Sequence, residues 1–274
     1  MARIAFIGGG NMATALIGGV VARGTAASDF VVVEPFAEQG ARIVQRFPGI
    51  DVRPRASGDV LDGVDLLVLA VKPQQMREAI APLAPFVQPL SAVLSVAAGI
   101  RIADLSRWLG GYARIMRAMP NTPALIGAGI TGLHVPEGVP GGAQRLARAL
   151  LDSAGDVVVV SAEPMLDAVT GVSASGPAYV FYFLEAIERA ATQLGFEAAD
   201  ARRLAYATFD GAVRLARASD ADPGALRAQV TSKGGTTARG IGVLESRAVG
   251  DAIVECVMAA TGRARELGDE FGRE

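Results

Sequence analysis

The stretch "RIAFIGGGNMATALIGGVVARG" (3–24) decides the fold. A short apolar run, 3–7, passes straight into glycines and then into a helical pattern over 11–23. Gly8, Gly10 and Ala13 stand in the G-x-G-x-x-A register of a dinucleotide loop. Gly8 permits the tight turn, Gly10 lets the backbone approach a pyrophosphate, and Ala13 lets the helix pack closely on the strand. Exposed amides at the start of the helix favour an anion. Ile7, Gly8, Gly9, Gly10, Asn11 and Met12 are therefore candidate cofactor contacts.

Working outward, "FVVVE" (30–34), "DLLVLAV" (65–71), "AVLSV" (92–96), "ARIMRAM" (113–119) and "DVVVV" (156–160) also read as strands. Several are apolar at nearly every position, as expected of a strand covered on both faces of a parallel sheet. Helical patterns at 36–46, 73–83, 101–109 and 141–153 alternate with them. That alternation predicts an α/β fold: a doubly wound Rossmann sheet over 1–162. After Pro164 the strands stop. Helical patterns at 164–172, 177–194, 198–218, 222–231, 236–247 and 249–270 predict an all-α region over 163–274.

Composition narrows the function. Of 274 residues 51% are hydrophobic, enough for a full core, and the net charge of −2 makes no electrostatic case for nucleic acid. No apolar run reaches the ~18 residues of a spanning helix, and Asn11 and Thr14 break the N-terminal run that could be taken for a signal peptide. A cytoplasmic protein is expected, away from membranes. The single cysteine, Cys256, rules out an internal disulfide, suits a reducing compartment and is expected in the core. The one histidine, His134, is expected to be structural at a strand end and excludes chemistry that needs two imidazoles. No metal site is expected.

Further candidates follow strand ends, where open α/β sheets hold ligands. Glu34 stands 34 − 8 = 26 positions after the first glycine, close to where a carboxylate accepts from the adenosine ribose. Its charge would repel a 2′-phosphate and so favours NAD over NADP. "LAVKPQQM" (69–76) supplies Ala70, Val71, Lys72 and Pro73, with proline suited to a helix's first position. Ser57 and Ala98 join the cofactor candidates. In "MPNTPALIGAG" (119–129) a rigid turn presents Asn121, either towards a nicotinamide or as a turn cap.

In the helical half, "AVTGVSASGPAYVFYFLEAI" (168–187) breaks and restarts a helix at Gly176 and Pro177. Its small residues allow close approach of a ligand or a second chain, or simply close packing. "QVTSKGGTTARGIGVLE" (229–245) is a second glycine-rich helix start, this one with hydroxyls beside it. Such an end suits a small carboxylate, at roughly 1.5–3 kcal/mol per charge-assisted hydrogen bond, or is an unliganded cap.

Taken in order, "FIGGGNMA", "LAVKPQ", "SVAAGI", "MPNTPA", "GVSASGPAYVF" and "VTSKGGTTARGIGVLE" resemble the pyrroline-5-carboxylate reductase family over essentially the whole chain. The resemblance implies a C-terminal dimerisation domain, with five dimers often forming a decamer. It implies reduction of the C=N bond of 1-pyrroline-5-carboxylate to L-proline, the last step of proline biosynthesis, with NADPH or NADH. It places the substrate on Gly234, Gly235, Thr236 and Thr237, with Glu163, Ser175, Gly176 and Lys233 nearby. Thr237 is the candidate catalytic contact to the imine nitrogen, as an orienter. Hydride transfer to an iminium barely changes the net charge of the site, so positioning can carry most of the catalysis. "EPF" after the second strand departs from the phosphate-friendly pair of many members.

Two other readings remain. A β-hydroxyacid dehydrogenase would need a general base early in the helical half, yet 170–183 holds neither lysine nor histidine. A non-catalytic dinucleotide-binding regulator would have no need of an intact second loop.

Overall fold

The computed structural model describes residues 2–273. The chain forms two compact units. One runs to Ser175 and takes in the chain again from Ala259 onward; the other is Gly176–Met258.

In the first unit the strands are β1 (Ile4–Ile7), β2 (Phe30–Val33), β3 (Asp51–Arg53), β4 (Leu66–Leu69), β5 (Ala92–Ser95), β6 (Ile115–Met119), β7 (Gly129–His134) and β8 (Gly155–Val160). They form one sheet in the order β3-β2-β1-β4-β5-β6-β7-β8, parallel except where β6 meets β7. Every residue of β1, β2, β4 and β5 is buried, because helices cover both faces. Phe6, Val32, Val68 and Leu94 point into one core layer with Leu16, Ile17, Leu150 and Leu151. Ile7, Val31, Leu67 and Val93 point into the other with Ile80, Leu83 and Leu105. Each such side chain contributes about 1.5–3 kcal/mol by leaving water.

Helices α1 (Asn11–Val21), α2 (Ala37–Arg46), α3 (Met76–Ile80), α4 (Ile102–Trp108) and α5 (Gly141–Asp152) follow the expected positions. The run at 73–83 does not form one helix. Tight 3-10 turns at Pro73–Gln75 and Ala81–Leu83 flank the short α3, since Pro82 has no N–H to extend it. The strand expected at 65–71 ends at Leu69; Ala70 still donates to the Ile7 carbonyl (2.8 Å) before the chain turns away. Strands β3 and β7 are additions to the sequence expectation. The antiparallel return into β7 is made by a 3-10 turn at Thr122–Ile126 that closes on Gly127 at φ +70°.

Helix α6 (Met165–Val169) runs into a wider π turn at Thr170–Ala174, in which the Ser175 N–H reaches the Thr170 carbonyl (2.9 Å). Proline at 177 explains the irregularity: without an N–H it leaves the Ser173 carbonyl unused by the helix.

The second unit is helical: α7 (Gly176–Gln193), α8 (Ala198–Arg217), α9 (Pro223–Gln229), α10 (Thr236–Ser246) and the first part of α11 (Val249–Arg273), whose later part belongs to the first unit. Between Gly176 and Met258 only Ala191, Ala201 and Ala205 are buried. Meanwhile Phe181, Tyr182, Val213, Leu215, Val254 and Met258 are each more than half exposed. Cys256 is exposed as well, not in a core, because it shares this uncovered apolar surface. No helix among the described residues is long and apolar enough to cross a membrane.

Candidate functional site

The sheet order reverses between β1 and β4, and the chain leaves both strands toward the same edge. A crevice at such a switch point is where doubly wound sheets bind ligands. Gly8 leaves β1 at φ +97° with its N–H on the Val33 carbonyl (2.9 Å). Gly10 caps α1 with an extended backbone, and neither a side-chain cap nor an acidic residue competes for the helix's first amides. Those N–H groups have no intrahelical acceptor and suit a pyrophosphate. A methyl built on Gly10 would meet nothing within 4 Å, which leaves the approach open.

Beside the loop lies a cleft of about 540 Å³. It brings together the expected Ile7, Gly8, Gly10, Glu34, Ala70, Val71 and Lys72. Phe36, Pro54, Ala79 and Pro82 give it apolar walls that fit a flat purine, and Arg55, Gln75 and Glu78 line it as well. The residues present fit a dinucleotide.

Glu34 is 8% exposed, and both of its oxygens are engaged by the backbone. Oε2 accepts from the Gly9 N–H (3.1 Å) and Oε1 from the Phe36 N–H (3.0 Å). From α2, Gln39 Nε2 donates to the Gly9 carbonyl (2.7 Å), so residue Gly9 is held through both its N–H and its carbonyl. Gln39 and Arg55 were not foreseen, because neither falls in a motif. Only the position of Gln39, five residues after Glu34 in the first turn of α2, could have drawn attention to it.

Other cofactor candidates lie outside the cleft lining. Ser57 is exposed and donates to Asp59. Pro73 opens a 3-10 turn, and Ala98 is half-buried after β5. Asn121 is a strut: Oδ1 accepts from Ile130 N (2.9 Å), while Nδ2 donates to the Ser173 carbonyl that Pro177 leaves free (3.1 Å). Both ends of its amide are thus committed to holding β7 and the π turn.

Glu163 sits in a second cluster of the first unit. Its Oε1 accepts from Arg117 Nη1 on β6 and from the Ile102 N–H at the start of α4, both at 2.7 Å. Arg117 is 4% exposed, and its Nε finds no acceptor among the described residues. Burial pushes the neighbouring Asp167 carboxyl above its ordinary range, against the pull of Arg117, Arg101 and Arg265. His134 ends β7, with Nδ1 3.4 Å from the Val160 carbonyl.

In the second unit, Gly234 turns at φ +72° and Gly235 caps α10. The first backbone bond onto that cap runs from Arg239 N to the Gly235 carbonyl (3.1 Å), which leaves the amides of Thr236, Thr237 and Ala238 without intrahelical acceptors. Lys233, Thr236 and Thr237 are exposed, and no acidic residue occupies the first turn of α10. A methyl on Gly235 would lie 2.5 Å from Ser232 Oγ, so the serine hydroxyl would have to turn away to admit one. Ser175 and Gly176 are half-buried where the π turn gives way to α7. Among the described residues no group of three His, Cys, Asp or Glu side chains could hold a metal ion.

Residues 163–267 match the family model described as pyrroline-5-carboxylate reductase dimerisation, and residues 3–99 that described as NADP oxidoreductase, coenzyme F420-dependent. Pyrroline-5-carboxylate reductase of Pseudomonas aeruginosa is 39% identical over 271 residues, covering 99% of this chain and 98% of its own. The Synechocystis enzyme of the same name is 38% identical over 97% of this chain and 98% of its own. A solved pyrroline-5-carboxylate reductase from Coxiella burnetii superposes with a TM-score of 0.90 at 35% identity, covering 97% and 98% of the two chains. Two glycine-capped helix starts, one beside a dinucleotide cleft and one flanked by hydroxyls, agree with these similarities: the chain belongs to the pyrroline-5-carboxylate reductase family.

Proposed function

We propose that the protein reduces the C=N bond of 1-pyrroline-5-carboxylate to give L-proline, using NADPH or NADH. The observation that carries this reading is the second glycine loop. A generic dinucleotide binder has no use for a second helix N-terminus stripped of acidic residues and lined with threonine hydroxyls.

The reduced nicotinamide supplies the hydride when bound. What the chain adds is binding and orientation. The first amides of α1 bind the pyrophosphate, and Glu34 accepts from the ribose. The amides of Thr236 and Thr237 and the α10 dipole hold the substrate carboxylate. The Thr237 hydroxyl orients the imine nitrogen, which already carries its proton in the iminium form, so no general acid is required of the protein. Well-oriented partners gain ~7–11 kcal/mol over free encounter.

Thr237→Ala should lower kcat/KM by roughly 5–150-fold, the ~1–3 kcal/mol of one polar contact, while cofactor Kd stays within about twofold. Loss of cofactor affinity at normal substrate KM would remove the second loop from the substrate. The whole reading is tested by assaying the purified chain with 1-pyrroline-5-carboxylate and each reduced cofactor. Turnover with neither sinks it.

We further propose that 163–274 serves dimerisation and substrate binding and 1–162 cofactor binding, with the homodimer as the minimal assembly and the decamer of five dimers as the larger one. A unit with three buried alanines and a broad apolar surface supports a covering partner. Sedimentation at micromolar concentration should give a dimer or larger; a stable monomer contradicts this. The lone cysteine suits the reducing cytoplasm.

A further inference from the structure

We infer that this chain selects NADH over NADPH, and that Glu34 imposes the selection because its carboxylate is pinned. The inference rests on the dinucleotide reading of the first loop and deepens it. A carboxylate at this strand end is ordinarily matched to unphosphorylated ribose hydroxyls. The rule has an escape, however: a flexible glutamate can swing into solvent and let a 2′-phosphate in.

Here the escape is closed. Glu34 is 8% exposed, and its two oxygens accept from two different backbone amides, Gly9 N–H and Phe36 N–H. Rotating the side chain outward would leave both amides unpaired. Gln39 holds the Gly9 carbonyl on the other side of the same residue, so the loop is not free to turn the Gly9 amide elsewhere. The carboxylate therefore stays in the cleft wall whichever cofactor arrives. Each oxygen keeps a lone pair for a ribose hydroxyl, whereas a phosphate dianion brings like charge against a group that cannot retreat.

The cleft holds other charges. Glu78 adds a second carboxylate, while Lys72 and Arg55 are cations on its rim. Arg55 is the rival, since an exposed guanidinium after β3 could turn in and neutralise a 2′-phosphate. Geometry favours the glutamate: two hydrogen bonds hold it in place, whereas Arg55 is an exposed side chain. Residues 3–99 match a family described by its NADP chemistry, so this preference is where the chain's own residues depart from that description.

The test uses the full-length protein and two fragments without the nicotinamide, ADP-ribose and its 2′-phosphorylated form, titrated calorimetrically. The NADH:NADPH ratio of kcat/KM is measured alongside. ADP-ribose should bind at least tenfold more tightly, and the kinetic ratio should favour NADH by a similar factor. In Glu34→Ala the binding ratio should contract to within about threefold. A purely structural role for Glu34 would weaken both fragments equally and leave the ratio unchanged, which would overturn the proposal. So would equal or tighter binding of the phosphorylated fragment, above all if Arg55→Ala abolished it. Failure of both fragments to bind the folded protein would instead overturn the dinucleotide reading beneath the proposal. Turnover of 1-pyrroline-5-carboxylate has no bearing on the titration, so the two failures are separable.

Discussion

Glu163→Ala is expected to cost the fold about 3–5 kcal/mol and to lower Tm by roughly 6–20 °C, measured by calorimetry or circular dichroism. The reason is what it leaves behind. Arg117 is nearly enclosed, its side chain 5% exposed against 24% for Glu163, and it already has one nitrogen without an acceptor. Without Glu163 the buried guanidinium loses its ion-pair partner and keeps only the pull of the neighbouring Asp167, and the Ile102 N–H at the start of α4 loses its acceptor too. The double variant Arg117→Met with Glu163→Leu should recover most of the loss, since apolar replacement of a buried pair is often close to neutral. Recovery should stop about 1 kcal/mol short, because the Ile102 amide remains unpaired. The same experiment tests the role that the resemblance implies for Glu163 beside the substrate. If its work is to fasten β6, α4 and the start of α6, substrate KM in the single variant, measured well below its melting point, stays within about twofold. A large rise in KM at unchanged Tm would assign it to the substrate instead.

How far the sequence could be read depended on where the partners of each group lie. Strands β1, β2, β4 and β5 were legible because they are buried on both faces and so are apolar throughout. Strand β3 is three residues long with two charged, at the sheet edge, and leaves no hydrophobic signature. Strand β7, "GITGLH", carries two glycines and reads as more of the turn before it. Its pairing with β6 and β8 overrides its weak propensity.

The same division holds at the candidate site. The glycine loop and Glu34 were legible because strand, turn and helix follow in fixed register. The Gln39 contact was not, since it depends on how α2 docks against the loop. Asn121 stood out in the sequence, but its partners come from nine and 52 residues away, and no local pattern encodes that. Cys256 misled for the opposite reason. Its apolar surroundings are real, but they cover a surface and not a core.

The loop itself offers the sharpest contrast between two glycines needed for different reasons. Gly8→Ala should weaken binding of ADP-ribose at least a hundredfold, about 2.7 kcal/mol, and also lower Tm. At φ +97° any side chain is strained by about 1–3 kcal/mol, and a methyl would lie 2.8 Å from the Ala70 carbonyl oxygen, a backbone atom of the neighbouring strand end that cannot simply rotate away. The loop must shift, and the first amides of α1 shift with it. Gly10→Ala should behave differently. Its backbone is at φ −70°, and a methyl there has nothing within 4 Å, so folding and Tm should be almost untouched. Any loss of ADP-ribose affinity in Gly10→Ala then comes from the ligand meeting the methyl, because nothing in the protein does. Titrating both variants with ADP-ribose and melting both without it separates strain in the loop from obstruction of the ligand. Undiminished affinity in both would show that the pyrophosphate does not lie on this loop.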